Sequence, residues 1–377
     1  MATDGIAGLS APGRLSSSAG SPGGTRGWRD VALSELTTIG LGGPARQLVE
    51  AAAGDDVVAA VAGADEAGEP LLVMGGGSNL VIADAGFDGT ALRVLTRGVT
   101  ASGDGAAARL TVAAGEPWDG IVARCVSEGL AGIECLAGIP GCTGATPIQN
   151  VGAYGQQVSD VIAAVRAYDR RARAIVELSP AQCAFGYRTS VFRGGERYVV
   201  LDVTFTLERS RSARPLRYGE LARVLGADAE ARPPLAEVAE AVLALRRGKG
   251  MVIDPADPDS VSAGSFFVNP VLPADAFAEF RRRVAEVLGA DVTPPAWPGA
   301  DGAIKTSAAW LIERAGFHRG YRRGAVGIST KHTLALVNLG GASSADLLAL
   351  AREVRDGVRH AFGVTLEPEP TFVGLVL

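Results

Sequence analysis

Three short stretches carry side chains able to handle charge and protons. Arg188 sits in Phe185-Gly186-Tyr187-Arg188-Thr189-Ser190, between aromatic and glycine neighbours. A guanidinium held there can clamp a carboxylate through a two-pronged, charge-assisted hydrogen bond, although a surface ion pair would use the same residues. Ser265 lies in Ala263-Gly264-Ser265-Phe266-Phe267-Val268-Asn269-Pro270, where a serine serves as a turn or cap as readily as a catalyst. The segment is not a G-x-S-x-G elbow and no histidine is placed for a triad, which removes serine hydrolase chemistry. Glu367 and Glu369 stand two residues apart in Leu366-Glu367-Pro368-Glu369-Pro370-Thr371-Phe372-Val373-Gly374. On a strand that spacing puts both carboxylates on one face, and a solvated polar edge would show the same pattern.

Two further stretches have the composition of ligand cradles. Gly75-Gly76-Gly77-Ser78-Asn79 follows the apolar run Leu71 to Met74. Consecutive glycines after a strand permit positive φ and leave backbone N–H groups free to face a phosphate, or simply make a tight turn. The run lacks the spacing of a Walker loop or a dinucleotide fingerprint. The stretch from Gly138 to Gly155 is rich in glycine, proline and uncharged polar groups, including Gln149 and Asn150, with few side chains suited to a core. A loop of that length is functional or disordered, and its Gln-Asn pair and lack of charge favour a backbone wrapped round a cofactor.

These stretches need elements to hold them. The pattern from Arg46 to Val81 reads strand (Gln47 to Ala52), helix (Asp55 to Ala67), strand (Leu71 to Met74). Leu110 to Ala114 reads as a strand and Trp118 to Glu128 as a helix, with Ile121, Val122 and Cys125 at helical spacing. Val161 to Tyr168, Ala174 to Leu178 and Tyr198 to Leu207 suggest antiparallel strands. The basic, proline-containing stretch Arg209 to Arg217 marks a boundary near Tyr218. Beyond it the spacing predicts helices over Leu235 to Arg247, Ala274 to Leu288 and Ser344 to Phe362, and strands at Ala325 to Ile328, Leu334 to Asn338 and Phe372 to Leu377. Both halves are therefore expected to be α+β.

Bulk composition narrows the function classes. The 377 residues are 47% hydrophobic and 20% charged, which suits two or three packed domains. A formal net charge of -5 offers no large basic surface for a phosphate backbone, so nucleic acid is not an expected partner. Cys125, Cys135, Cys142 and Cys183 show no CxxC pairing and lie far from His318, His332 and His360, so no metal is expected and the cysteines should be reduced. Residues 1–30 are rich in Gly, Ser, Ala and Pro and read as a disordered tail without the features of a signal peptide. No apolar run is long enough to span a membrane, and the expected location is cytoplasmic.

In this order the motifs resemble the UDP-N-acetylenolpyruvoylglucosamine reductase family, in its longer subtype with a tyrosine loop. The likeness is collinear from about Leu36 to Gly374, starting at Thr38-Ile39-Gly40-Leu41-Gly42-Gly43-Pro44-Ala45. It implies non-covalently bound FAD in a two-part domain of the vanillyl-alcohol-oxidase (PCMH) type over 31–217. A separate α+β substrate domain over 218–377 would carry the catalytic C-terminal segment. By motif position Gly75, Gly76, Gly77, Ser78 and Asn79, with Ile139, Pro140, Gly141, Gly144, Ala145, Gln149, Asn150 and Ala153, would hold the pyrophosphate and flavin, and Arg246 would lie nearby.

The resemblance further implies NADPH-dependent reduction of UDP-N-acetyl-3-O-(1-carboxyvinyl)glucosamine in peptidoglycan precursor synthesis, hence a role in cell-wall biogenesis, cell shape and division. Arg188, Ser265 and Glu369 map to the catalytic positions. Hydride added to the terminal enolpyruvyl carbon leaves negative charge on the adjacent carbon and its carboxylate, which needs countercharge from Arg188, a hydrogen bond from Glu369 when protonated or sharing a proton, and a proton from Ser265. Tyr154, Tyr218, Lys249, Asn269 and His332 map to substrate binding, with Lys249 and His332 suited to the diphosphate. Val268 stands where a basic residue is frequent, and Pro370-Thr371 where Val-Arg is usual, which sets Glu369 at the edge or start of a strand. The competing readings are a flavin alcohol oxidase of the same fold, which would not need a serine to protonate carbon, and a silent UDP-sugar binding protein.

Overall fold

The computed structural model describes residues 25–228 and 230–377. A first sheet joins Thr25–Ala32 antiparallel to Pro44–Ala51, which runs parallel to Phe87–Val94, which in turn runs parallel to Leu71–Met74. Val31, Leu48, Met74, Ile82 and Ala91 form its small core. A second, antiparallel sheet orders Ala174–Leu178, Ile162–Asp169, Tyr198–Arg209, Ala107–Ala113 and Val99–Ser102. Its central strand Tyr198–Arg209 is apolar along most of its length because both of its faces are covered.

Helices pack on this second sheet by the residues that gave them away in the sequence. Trp118, Ile121, Val122 and Cys125 of the helix Trp118–Glu128 face the core beside Val57 and Val61 of the helix Gly54–Ala67. Both helices stop at a glycine in the left-handed region, Gly68 at φ 63 and Gly129 at φ 70, where a Cβ would be strained.

A third core belongs to the C-terminal part. Ser262–Ser265, Ala335–Asn338, Val326–Ile328 and Arg322–Arg323 form an antiparallel sheet, covered by Ala274–Leu288, Ala308–Arg314 and Ser344–Phe362. Phe266, Phe280, Val354 and Phe362 are buried between them. The last helix begins with a reciprocal capping box between Ser343 and Asp346, which satisfies N–H groups that would otherwise lack partners.

Three sequence expectations change. Residues 1–24 of the expected tail lie outside the described residues, whereas Thr25–Ala32 is a strand whose register sets Trp28 against Leu48 and Val31 against Ala45. The expected strand Phe372 to Leu377 is only Thr371–Val373, since its parallel partner Leu80–Ile82 offers three residues and Gly374 then turns at φ 68. Leu221 and Ala222 of the helix Gly219–Val224, and Leu235, Val238 and Val242 of Leu235–Gly248, pack into the core of the second sheet. We therefore propose that the domain change falls after Gly250 rather than at Tyr218, the basic stretch before it being a surface crossing within the first unit.

Candidate active site

The glycine run and the long loop face each other across one cavity. It has a volume of about 420 Å³ and lies between the two glycine-rich loops, the helix end around Arg246 and the strand ending at Ser265. The run leaves the strand Leu71–Met74 and enters Leu80–Ile82. A Cβ on Gly76 would come within 3.0 Å of Gly141 Cα, and one on Gly77, at φ 64, within 1.8 Å of the Leu36 carbonyl oxygen. Close backbone approach therefore requires glycine at both positions. The Ser78 hydroxyl donates to the Pro140 carbonyl at 3.3 Å, tying the two loops together. From behind, Trp118 N donates to Gly141 O at 3.0 Å and Gly144 N to Ala114 O at 2.8 Å, so the helix start and the strand end hold the loop open.

Arg188, Ser265 and Glu369 all line the cavity. Arg188 adopts φ 53 and donates through Nη2 to the Gly152 carbonyl at 2.5 Å and through Nη1 to that of Asn150 at 3.4 Å. Its Nε lies 3.2 Å from Glu369 Oε1, with both side chains largely buried at 22% and 15% exposure. Burial pushes the Glu369 carboxyl above its ordinary range, opposed by Arg188 and Arg193. Glu369 N donates to Phe266 O at 2.9 Å and Val268 N to Glu367 O at 3.0 Å, which fixes the Ser265 and Glu369 segments side by side. The strand Thr371–Val373 begins directly after Pro370, as a residue without an N–H requires.

A second wall gathers groups suited to phosphate. Tyr154 and Tyr218 meet edge to face with ring centroids 5.3 Å apart, and Lys249 Nζ lies 5.6 Å from the Tyr154 centroid. Lys249 also pairs with Glu220 at 2.7 Å. Burial, with help from Lys249 and Arg246, lowers the His332 pKa to about 4, so the ring is neutral at physiological pH. It would meet a diphosphate as a hydrogen-bond donor and not as a charge.

Most of the sequence-expected residues converge here, and three do not. Gly75, Gly76, Gly77, Ser78, Asn79, Ile139, Pro140, Gly141, Ala145, Gln149, Ala153, Tyr154, Tyr218, Arg246, Lys249 and His332 all line the cavity. Gly144 lies behind the wall, where a Cβ would meet that of Ala114 at 2.5 Å. Asn150 is buried and serves the loop itself, donating to Gly186 O at 3.0 Å and accepting from Ser159 N at 3.1 Å. Asn269 turns away to accept from Ala308 N at 2.9 Å, starting the helix Ala308–Arg314. Sequence reading missed Arg193, which lines the cavity and donates to both the Arg188 carbonyl and, at 3.3 Å, the Pro368 carbonyl. Its only sequence signal was its place five residues beyond Arg188 in Val191-Phe192-Arg193.

The fold and its glycine-lined cavity define an FAD-binding oxidoreductase, and the FAD binding domain model matches residues 45–177. The model for the C-terminal domain of UDP-N-acetylenolpyruvoylglucosamine reductase matches residues 255–373. The chain is 59% identical to the UDP-N-acetylenolpyruvoylglucosamine reductase of Thermobifida fusca, over 93% of this chain and 98% of that one. It is likewise 59% identical to the enzyme of that name from Streptomyces coelicolor, over 92% and 90%. The crystal structure of UDP-N-acetylenolpyruvylglucosamine reductase from Thermus caldophilus aligns with a TM-score of 0.61 at 25% identity, covering 92% of this chain and 98% of that one. The chain belongs to the UDP-N-acetylenolpyruvoylglucosamine reductase family, and it is an FAD-dependent oxidoreductase with a two-part α+β cofactor fold.

The cavity fits that cofactor on physical grounds. Arg246 Nε is buried with no hydrogen-bond partner among the described residues, while its Nη2 donates to Met251 O at 2.7 Å. A buried, half-satisfied guanidinium that shares its cavity with two glycine-rich loops is what an anionic dinucleotide would complete. Among the described residues no helix is long and apolar enough to cross a membrane.

Proposed function

We propose that the chain reduces the enolpyruvyl group of UDP-N-acetyl-3-O-(1-carboxyvinyl)glucosamine to UDP-N-acetylmuramate, with NADPH as donor, in peptidoglycan precursor synthesis. The observation that carries the reading is that Arg188, Ser265 and Glu369, brought from three distant segments, share one cavity with both glycine loops. FAD, when bound, supplies hydride transfer from NADPH to the terminal carbon of the enolpyruvyl group. Gly75 to Asn79, Ile139 to Gly141, Ala145, Gln149, Ala153 and Arg246 hold it.

The remaining chemistry belongs to side chains. The carbon next to the carboxylate becomes electron-rich as the hydride adds and must take a proton. Arg188 stands as a fixed cation beside that developing charge, since its own carbonyl partners leave it no freedom to withdraw. Glu369, whose burial favours the protonated form, hydrogen-bonds the enol oxygen. Ser265 gives its hydroxyl proton to the carbon, an acceptor basic enough to make a weak acid effective. Tyr154, Tyr218, Lys249 and neutral His332 bind the sugar diphosphate, and Asn269 acts through its hold on the helix Ala308–Arg314. We place the reaction in the cytoplasm, with the UDP-sugar and NADPH as its small-molecule partners.

The test is an anaerobic absorption experiment on the purified protein. Flavin bands should bleach with NADPH and return on adding the enolpyruvyl UDP-sugar. A flavin that NADPH reduces but the sugar leaves reduced would refute the assignment.

A further inference from the structure

Two side chains expected only to cradle cofactor are wired to the Glu369 carboxyl, and the wiring has one direction. A primary amide has a donor end and an acceptor end, so fixing one end fixes the other. Asn79 lies 3.4 Å from the Glu369 carbonyl oxygen, an atom that can only accept, so its Nδ2 must face that way. The same Nδ2 donates to Gln149 Oε1 at 3.1 Å. With its oxygen turned to Asn79, Gln149 can offer only Nε2 to Glu369, and it donates to Oε1 at 3.4 Å. Glu369 Oε1 also faces Arg188 Nε at 3.2 Å. A proton on Oε1 would be set against both, whereas Oε2 makes no hydrogen bond among the described residues and Glu369 lines the cavity.

We infer that the Asn79–Gln149 relay places the acidic proton of Glu369 on Oε2, the oxygen able to meet substrate, which makes Gln149 a positioning residue for protonation. The inference rests on the reading of Glu369 as the partner of the developing enol. The charged and titratable groups around the carboxyl are Arg188 and Arg193, which favour its ionised form, and Tyr187. Gln149 adds a neutral donor on the same oxygen as Arg188, so its removal favours the protonated form and loosens the rotation of the carboxyl.

The experiment uses the full chain with Gln149→Met and Gln149→Leu, read two ways. Infrared difference spectroscopy against Glu369→Gln isolates the C=O stretch of the protonated carboxyl. If the proton is on Oε2, the C=O oxygen is Oε1, and losing the Gln149 hydrogen bond raises its frequency. A proton on Oε1 leaves that frequency unchanged, which would overturn the inference. In stopped flow, reoxidation of reduced flavin by the sugar should slow about fivefold, as expected for the loss of one hydrogen bond to a neutral carboxyl. Its alkaline limb should move up by about half a pH unit. An unchanged limb together with an unchanged band would also overturn it. The infrared reading needs no flavin, so a variant that loses cofactor still decides the matter. Wild-type flavin that the sugar fails to reoxidise would count against the proposed function and leave the relay standing.

Discussion

Arg246 should be a liability to the empty protein and an asset to the loaded one. Among the described residues its Nε is buried without a partner and its one side-chain hydrogen bond is to Met251 O at 2.7 Å, while burial lowers its pKa. Arg246→Met keeps the apolar stem and removes the guanidinium. In the apoprotein the change loses a hydrogen bond worth about 1 kcal/mol and relieves an unsatisfied buried donor that costs about 1–3 kcal/mol. The net effect is near zero or stabilising, because the backbone bond from Met251 N to Arg246 O remains at 2.9 Å. In the holoprotein the variant lacks a charge-assisted contact of about 2 kcal/mol, which corresponds to roughly thirtyfold weaker FAD binding. Urea unfolding of flavin-free protein and titration of flavin fluorescence measure the two halves separately. An apoprotein weakened by more than about 2 kcal/mol, with FAD affinity intact, would make Arg246 a structural strut and refute the reasoning.

Ser265→Ala should leave NADPH reduction of the flavin fast and slow reoxidation by the sugar by about 10²–10⁴-fold, as expected for loss of a general acid. Equal slowing of both half-reactions in stopped flow would remove Ser265 as proton donor. His332, with its pKa lowered to about 4, binds fewer protons folded than unfolded between that value and about 6.5. Stability should therefore fall as pH drops through this window, by up to roughly 3 kcal/mol, and His332→Gln should flatten that slope in urea titrations. Gly77→Ala would force a Cβ to within 1.8 Å of the Leu36 carbonyl oxygen at φ 64. It should destabilise by about 3 kcal/mol or more and empty the flavin site, seen as a lower denaturant midpoint and a colourless protein.

Local structure was legible wherever one segment contains its own determinants. The helices Trp118–Glu128, Ala274–Leu288 and Ser344–Phe362 have the bounds that apolar spacing and their closing glycines 129, 289 and 363 indicate. The glycine run and the long loop declared themselves by composition, since close backbone approach leaves no room for side chains. Family resemblance then brought the separated motifs into one site, which no single motif could have done.

Only the fold decided which of those residues face the cavity and which hold its wall. Gly144, Asn150 and Asn269 belong to the same motifs as their neighbours, yet adjacent backbone directions turn them toward Ala114, Gly186 and Ala308. The contact of Arg193 with Pro368 and the Asn79–Gln149–Glu369 relay were invisible because the partners lie in distant segments, 290 residues apart between Asn79 and Glu369. The boundary proposed past Tyr218 rests on packing and not on composition, since Leu221 and Val238 join the core of the second sheet. Turns, caps and periodicity act over a few residues and are written in neighbouring types. The direction of an amide, the proton on a carboxyl and the membership of a core depend on what chain packing brings within a few ångströms, and that is settled only when the segments meet.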